Sequence, residues 1–232
     1  MTAPRPEPEP EEPARPGSNG SDRADPVRRR EESVELDGPL PADGSRRRTA
    51  LADLVHTLDE RVDGWFEPWR GDPAVDGAAK VITGLGDHGL MWAATTVWRA
   101  RHTGPERARS VRALAIAGIE SSIVNAALKA AVGRARPDRS GVRLAEVGVP
   151  VREPKTTSFP SGHTLAAFCS ATVMSLPDDS AGNALLYTGA ALVGLSRLHL
   201  RAHHASDVLG GAAIGTVLGL FGRRLLRRIG PD

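Results

Sequence analysis

The chain has 232 residues, of which 40% are apolar and 25% charged, and its formal net charge is +2. The one cysteine, Cys169, excludes a disulfide scaffold. So small a net charge, with only one Tyr and four Phe, excludes a nucleic-acid-binding platform.

The mean hydropathy of −0.26 averages two unlike parts. Residues 1–50 hold nine of the 18 prolines, 11 acidic residues, nine arginines and ten apolar side chains. The remaining 182 residues are about 57% apolar or glycine, above the roughly 45–50% of an average soluble domain. Residues 1–50 therefore read as a disordered tail rich in Pro, Arg and Glu. Pro4, Pro6, Pro8 and Pro10 alternate with charges, and Arg28–Arg30 and Arg46–Arg48 form basic blocks. Such blocks are either solvated or in contact with lipid headgroups. The start does not read as a secretory signal, because Met1 leads into Pro and Glu without an apolar run.

Residues 51–80 read as an amphipathic helix and a linker. Leu51, Leu54, Val55, Leu58, Val62, Trp65 and Phe66 recur at steps of three and four, with Asp53, Asp59, Glu60, Arg61 and Asp63 opposite. This helix either docks on a core or lies in a membrane interface with Trp65, Phe66 and Trp69 at headgroup depth. Residues 81–228 then form one domain. Its apolar stretches, about 81–98, 111–130, 164–177, 183–200 and 208–222, are each of helix length. The longest runs free of Asp, Glu, Lys, Arg and His, 181–196 and 208–222, fall short of the ~18 residues of a membrane span. Five such helices are nevertheless more than a small soluble bundle needs. Gly189, Gly194, Gly211, Gly215 and Gly219 suit close helix packing in lipid. The expected fold class is all-α: a membrane-embedded bundle of about five core helices.

Three clusters place polar and basic groups between these helices, where charge is costly and marks function. Lys129 and Arg136, with Arg197 further on, are cations able to offset the spread charge of a phosphoryl group. Arg134 reads as a solvated neighbour, and the alternative for the whole cluster is an ordinary basic helix flank. Ser161, Gly162 and His163 follow Pro160 at the start of an apolar helix. There backbone N–H groups suit an anion and His163 stands where it can protonate a leaving oxygen. The alternative is a plain N-cap. His203 and Asp207 are four residues apart and share a helix face. A carboxylate on one ring nitrogen leaves the other free to attack. The alternative is that Asp207 only caps the next helix. His199 and His204 are the less suitable histidines.

The ordered set Lys129-x6-Arg136-Pro137, Pro160-Ser161-Gly162-His163 and Ser196-Arg197-x5-His203-x3-Asp207 resembles the type 2 phosphatidic acid phosphatase (PAP2, lipid phosphate phosphatase) family. The likeness runs from about Asp87 to Arg228. It implies a helical bundle, usually membrane-embedded, that hydrolyses lipid phosphates without a metal or other cofactor. It implies that Lys129, Arg136, Ser161, Gly162 and Arg197 hold the phosphate. His163 would then be the general acid, and His203 the nucleophile that forms a phosphohistidine, oriented by Asp207. Gly86-Asp87-His88-Gly89 is similar to a stretch in short actinobacterial members acting on polyprenyl-phosphoribose. Vanadium-dependent haloperoxidases resemble the family in fold, and a non-catalytic membrane protein with a degenerate site is a third reading.

Five arginines lie between Arg99 and Arg112 and four between Arg223 and Arg228. The positive-inside rule places both groups in the cytoplasm and the motif-bearing loops outside. The expectation is a multi-pass cell-membrane protein with an extracytoplasmic site. It also leaves residues 1–80 outside, in conflict with the absence of a signal.

Overall fold

A computed structural model describes residues 43–86, 90–99, 104–145 and 156–229; the tail expectation for residues 1–42 lies outside them. Seven α-helices fall within the described residues, which contain no strand: α1 (Asp43–Phe66), α2 (Pro73–Gly86), α3 (Leu90–Arg99), α4 (Gly104–Val132), α5 (Gly162–Met174), α6 (Ser180–His199) and α7 (Ala205–Ile229). The all-α expectation holds. The stretch 81–98, read as one helix, is two. α2 begins at Pro73, a residue suited to a first turn, and ends at Gly86, where the glycine-rich run 84–89 is poor helix material. α1 begins at Asp43, eight residues before the expected boundary.

α5 is the centre. It packs against α4, α6 and α7 and buries residues on every side, including Leu165, Ala167, Cys169, Ala171 and Val173. Its 13 residues span only about 20 Å, less than the ~30 Å hydrocarbon layer. α5 is thus enclosed by its neighbours. α7 lies closest to it, and glycines explain how. A Cβ on Gly211 would stand 2.7 Å from the Ser161 carbonyl oxygen, one on Gly215 2.3 Å from that of Leu165, and one on Gly219 2.8 Å from that of Cys169. Spaced four apart, the three glycines form one stripe that lets two helix backbones touch. Two helices, over Val111–Val132 and Ala205–Arg228, are long and apolar enough to cross a membrane.

α2 is pinned to the end of α6 by two buried pairs seven residues apart on α2. Asp76 Oδ1 lies 2.6 Å from His199 Nε2, and the Arg197 guanidinium donates to Thr83 Oγ1 at 2.6 Å. α1 docks in part through its polar side. Val62 and Phe66 pack against Leu198, Ala205 and Val208, but Leu51, Leu54, Leu58 and Trp65 are exposed. On the nominally polar side, Asp59 is buried at 5% exposure and Asp63 pairs with Arg70 and Arg201. The partner groups it meets, backbone ends and arginines, are polar, so a polar face docks.

Candidate active site

The C-terminus of α6 and the N-termini of α5 and α7 meet at one end of the bundle. Residues 200–204 between α6 and α7 form a tight loop. Ala202 N–H donates to the Arg197 carbonyl at 2.9 Å, and Arg201 takes the left-handed conformation, φ 48°, uncommon for a non-glycine residue. The ion pair of Arg201 with Asp63 of α1 holds that turn. The Arg70 guanidinium also donates to the carbonyls of Leu198 and His199, satisfying the end of α6.

This loop sets His203 just before α7 and Asp207 in its first turn. Both side chains are buried. His203 Nδ1 faces Asp207 Oδ2 at 3.7 Å, longer than a hydrogen bond. Asp207 is otherwise fully engaged. Its Oδ2 accepts from Ser158 Oγ at 2.5 Å and from the His204 N–H at 2.9 Å, and its Oδ1 accepts from Arg134 at 2.7 Å. Asp207 therefore lies inside the first turn of α7, which starts at Ala205 and not at the expected Val208, accepts from the N–H of the residue before the helix, and faces His203. On the other edge of the ring, Nε2 stands 3.2 Å from Arg136 Nη1. Burial above all, with the charges of Arg136 and Arg197, lowers the His203 pKa to about 4 against the pull of Asp207. The ring is neutral at pH 7, and its Nε2 lone pair faces the Arg136 guanidinium.

Arg136 is fixed by the carbonyls of Thr156 and Ala202, at 2.7 and 2.6 Å. Lys129, in the last turn of α4, donates to Thr156 Oγ1 at 2.8 Å, so the two cations share a neighbour. Ser161 precedes α5, and its N–H donates to the Asp207 carbonyl at 3.0 Å, which ties the second cluster to the third. The Ser161 side chain makes no cap bond; its Oγ accepts from Thr164 at 2.9 Å. A Cβ on Gly162 would approach the Asn125 amide nitrogen to 2.9 Å, so the end of that side chain would have to shift. His163 is in the first turn of α5 beside the end of α2, 3.7 Å from the position of a Cβ on Gly86. Both imidazoles thus occupy the same end of the molecule.

Arg134 differs from its expected solvated state. Its guanidinium bridges Asp59, at 2.6 Å, and Asp207. Sequence reasoning passed over Asp59, Thr83, Thr156 and Ser158. Ser158 carried a faint signal, a hydroxyl three residues before Ser161, whereas Asp59 carried none beyond one acidic position in a polar helix face. His199, with Asp76, ties α6 to α2. A cavity of about 450 Å³ opens between α1 and the His203 loop, lined by Asp59, Asp63, Pro137, Arg201, His203 and His204 among others.

Residues 110–230, more than half of the chain, match the model of the PAP2 superfamily. The chain belongs to that superfamily. The PAP2 chain is 38% identical to the lipid A 1-phosphatase of Porphyromonas gingivalis over 43% of its own length and 20% of the relative's. It is 28% identical to the decaprenylphosphoryl-5-phosphoribose phosphatase of Mycolicibacterium smegmatis, over 61% of itself and 73% of that protein. It spans less than half the length of the first curated relatives it matches. Among crystal structures, the transmembrane PAP2-type phosphatidylglycerolphosphate phosphatase of Bacillus subtilis superposes with a TM-score of 0.56 at 26% identity, over 77% of this PAP2 chain and 89% of the other. The described helices of this PAP2 chain accordingly carry all three sequence clusters at one end.

Proposed function

We propose that the protein is a membrane phosphatase that hydrolyses a lipid phosphate, polyprenyl or glycerolipid, or a lipid pyrophosphate, through a phosphohistidine. The observation that carries this reading is the His203 ring itself. It is buried and neutral, with Nδ1 toward Asp207 and Nε2 toward a fixed arginine. A phosphoryl group drawn to Arg136, Lys129 and Arg197, with the α5 N-terminus at Ser161 and Gly162 behind it, meets the Nε2 lone pair.

In the first step Nε2 attacks phosphorus and the bond to the lipid oxygen breaks. That oxygen keeps the electron pair and takes a proton from His163. The ring now carries the phosphoryl group and a positive charge, which the Asp207 carboxylate offsets. In the second step water gives a proton to His163 and its oxygen attacks phosphorus. The phosphorus–nitrogen bond breaks, and inorganic phosphate leaves.

The same reading takes the chain as multi-pass, with its site on the extracytoplasmic face. Its support is that α4 runs toward the site end and α7 away from it. Arg107, Arg109 and Arg112 at the start of α4 and the arginines at 223–228 at the end of α7 therefore lie toward the opposite end.

Phosphate release by the purified protein from polyprenyl phosphate, phosphatidic acid and phosphatidylglycerol phosphate tests the reading. Wild type turns over at least one of them. His203→Ala abolishes turnover, and His163→Ala lowers it by about 10²–10⁴-fold. Wild-type turnover in either variant overturns the assigned roles.

A further inference from the structure

Asp59 is the one buried residue among the side chains described on α1. A buried carboxylate is costly unless it is paired and hydrogen-bonded, and this one is both. Its Oδ2 accepts from Arg134 Nη2 at 2.6 Å and from Ser206 Oγ at 2.9 Å, and its Oδ1 from the Ser206 N–H at 2.8 Å. The other arm of Arg134 donates to Asp207 Oδ1 at 2.7 Å and to Ser206 Oγ at 2.6 Å. One planar guanidinium therefore spans two carboxylates, one from α1 and one facing the candidate nucleophile.

We propose that Asp59 and Arg134 are positioning residues for the Asp207–His203 pair, so that α1, ahead of the matched region 110–230, completes the active site. The proposal rests on the functional reading above for its chemistry. Asp207 must tolerate Arg134 and still stabilise an imidazolium. Asp59 resolves that conflict by taking half of the guanidinium. Without the Asp59 charge, the whole of Arg134 acts on Asp207 and weakens its pull on the ring. Without Arg134, two carboxylates are left facing each other, and both favour a positive charge nearby.

The other charged groups facing His203 are Arg197 of α6 and Arg136 of the linker. Across the cavity stand His56, Glu60 and Asp63 of α1, with Asp138, Arg201 and His204. Of the side-chain cations in these two sets and their neighbours, Arg134 is the one bonded to the Asp207 carboxylate.

Two measurements on the full chain in detergent decide the matter. In the first, Asp59→Asn lowers kcat by about ten- to a hundredfold with KM unchanged, the size of a small misplacement at a reacting group. Asp59→Glu recovers part of the loss. Asp53→Asn, at an exposed carboxylate of the same helix, leaves both thermal stability and kcat unchanged. In the second, NMR of 15N-histidine-labelled protein follows the His203 ring and needs no turnover. Arg134→Gln moves its titration upward from the wild-type position, and Asp59→Asn does not. Unchanged kcat per folded Asp59→Asn molecule, or an unmoved ring titration in Arg134→Gln, overturns the proposal. A wild type inactive on every lipid phosphate removes the functional reading but leaves the ring titration to judge the positioning.

Discussion

His203 has a folded-state pKa of about 4, whereas an exposed histidine titrates near 6.5. The sign of its effect on stability follows. Between those values the unfolded chain binds a proton that the folded protein does not, so acidification favours unfolding. This contribution to stability is complete above about pH 6.5 and declines as the pH falls toward about 4. Chemical denaturation in micelles at several pH values should show the decline, and His203→Gln should remove that part of it. A flat profile in wild type would mean that the ring is not held neutral. The same burial explains the chemistry, since a ring kept neutral keeps its lone pair. The residues around it illustrate two kinds of legibility. His203, Asp207, Arg136 and Ser161 could be read from spacing. Asp59 could not, because a single carboxylate on a polar helix face is the ordinary state of an exposed helix. Only its arginine, 75 residues away along the chain, makes it a buried partner.

At the scale of elements, the α5–α7 contact decides the geometry of the site. Ser161 N–H reaches the Asp207 carbonyl only because Gly211, Gly215 and Gly219 let the helices close up. Gly215→Ala would drive a Cβ to 2.3 Å from the Leu165 carbonyl oxygen, against backbone that cannot step aside. The expected cost is at least the ~1–3 kcal/mol of overpacking, with a matching loss of activity as the two helix ends separate. Gly118→Ala is the comparison, since nothing lies within 4 Å of that Cβ. A thermal melt of the two variants in the same detergent checks this, and equal midpoints would sink the argument. Apolar helices were legible from the sequence because their side chains are continuous runs of Ala, Leu, Val and Gly. The division of 81–98 into α2 and α3 was not, because hydropathy alone does not register where a helix ends. Which face of α1 docks was left open by its periodicity. A helix meeting arginines and helix ends buries carboxylates before leucines.

For the whole molecule, α4 and α7 fix a direction. One ends at the candidate site and the other begins there, so Arg107, Arg109 and Arg112 at the start of α4 and the arginines at 223–228 at the end of α7 lie toward the opposite end. The proposed topology predicts a labelling pattern. Cys169 is the one native cysteine and is buried, so introduced cysteines report cleanly. Ser140→Cys, in the exposed loop after α4, should react with a membrane-impermeant maleimide on intact cells. Arg227→Cys, near the end of α7, should react only after lysis. The reverse pattern would place the site in the cytoplasm. The exposed Leu51, Leu54, Leu58 and Trp65 of α1 lie on a helix docked at the site end. That position accords with the interfacial reading of this helix.

Taken alone, the sequence determined an all-helical protein and the three polar clusters, because helix periodicity and the energetic penalty of charge among apolar residues are local properties. The tertiary structure decided which helix is enclosed and which glycines allow the contact. It also decided that an acidic residue of the first helix shares an arginine with Asp207. Those outcomes depend on distances between segments far apart in the chain, and composition and spacing carry no record of them.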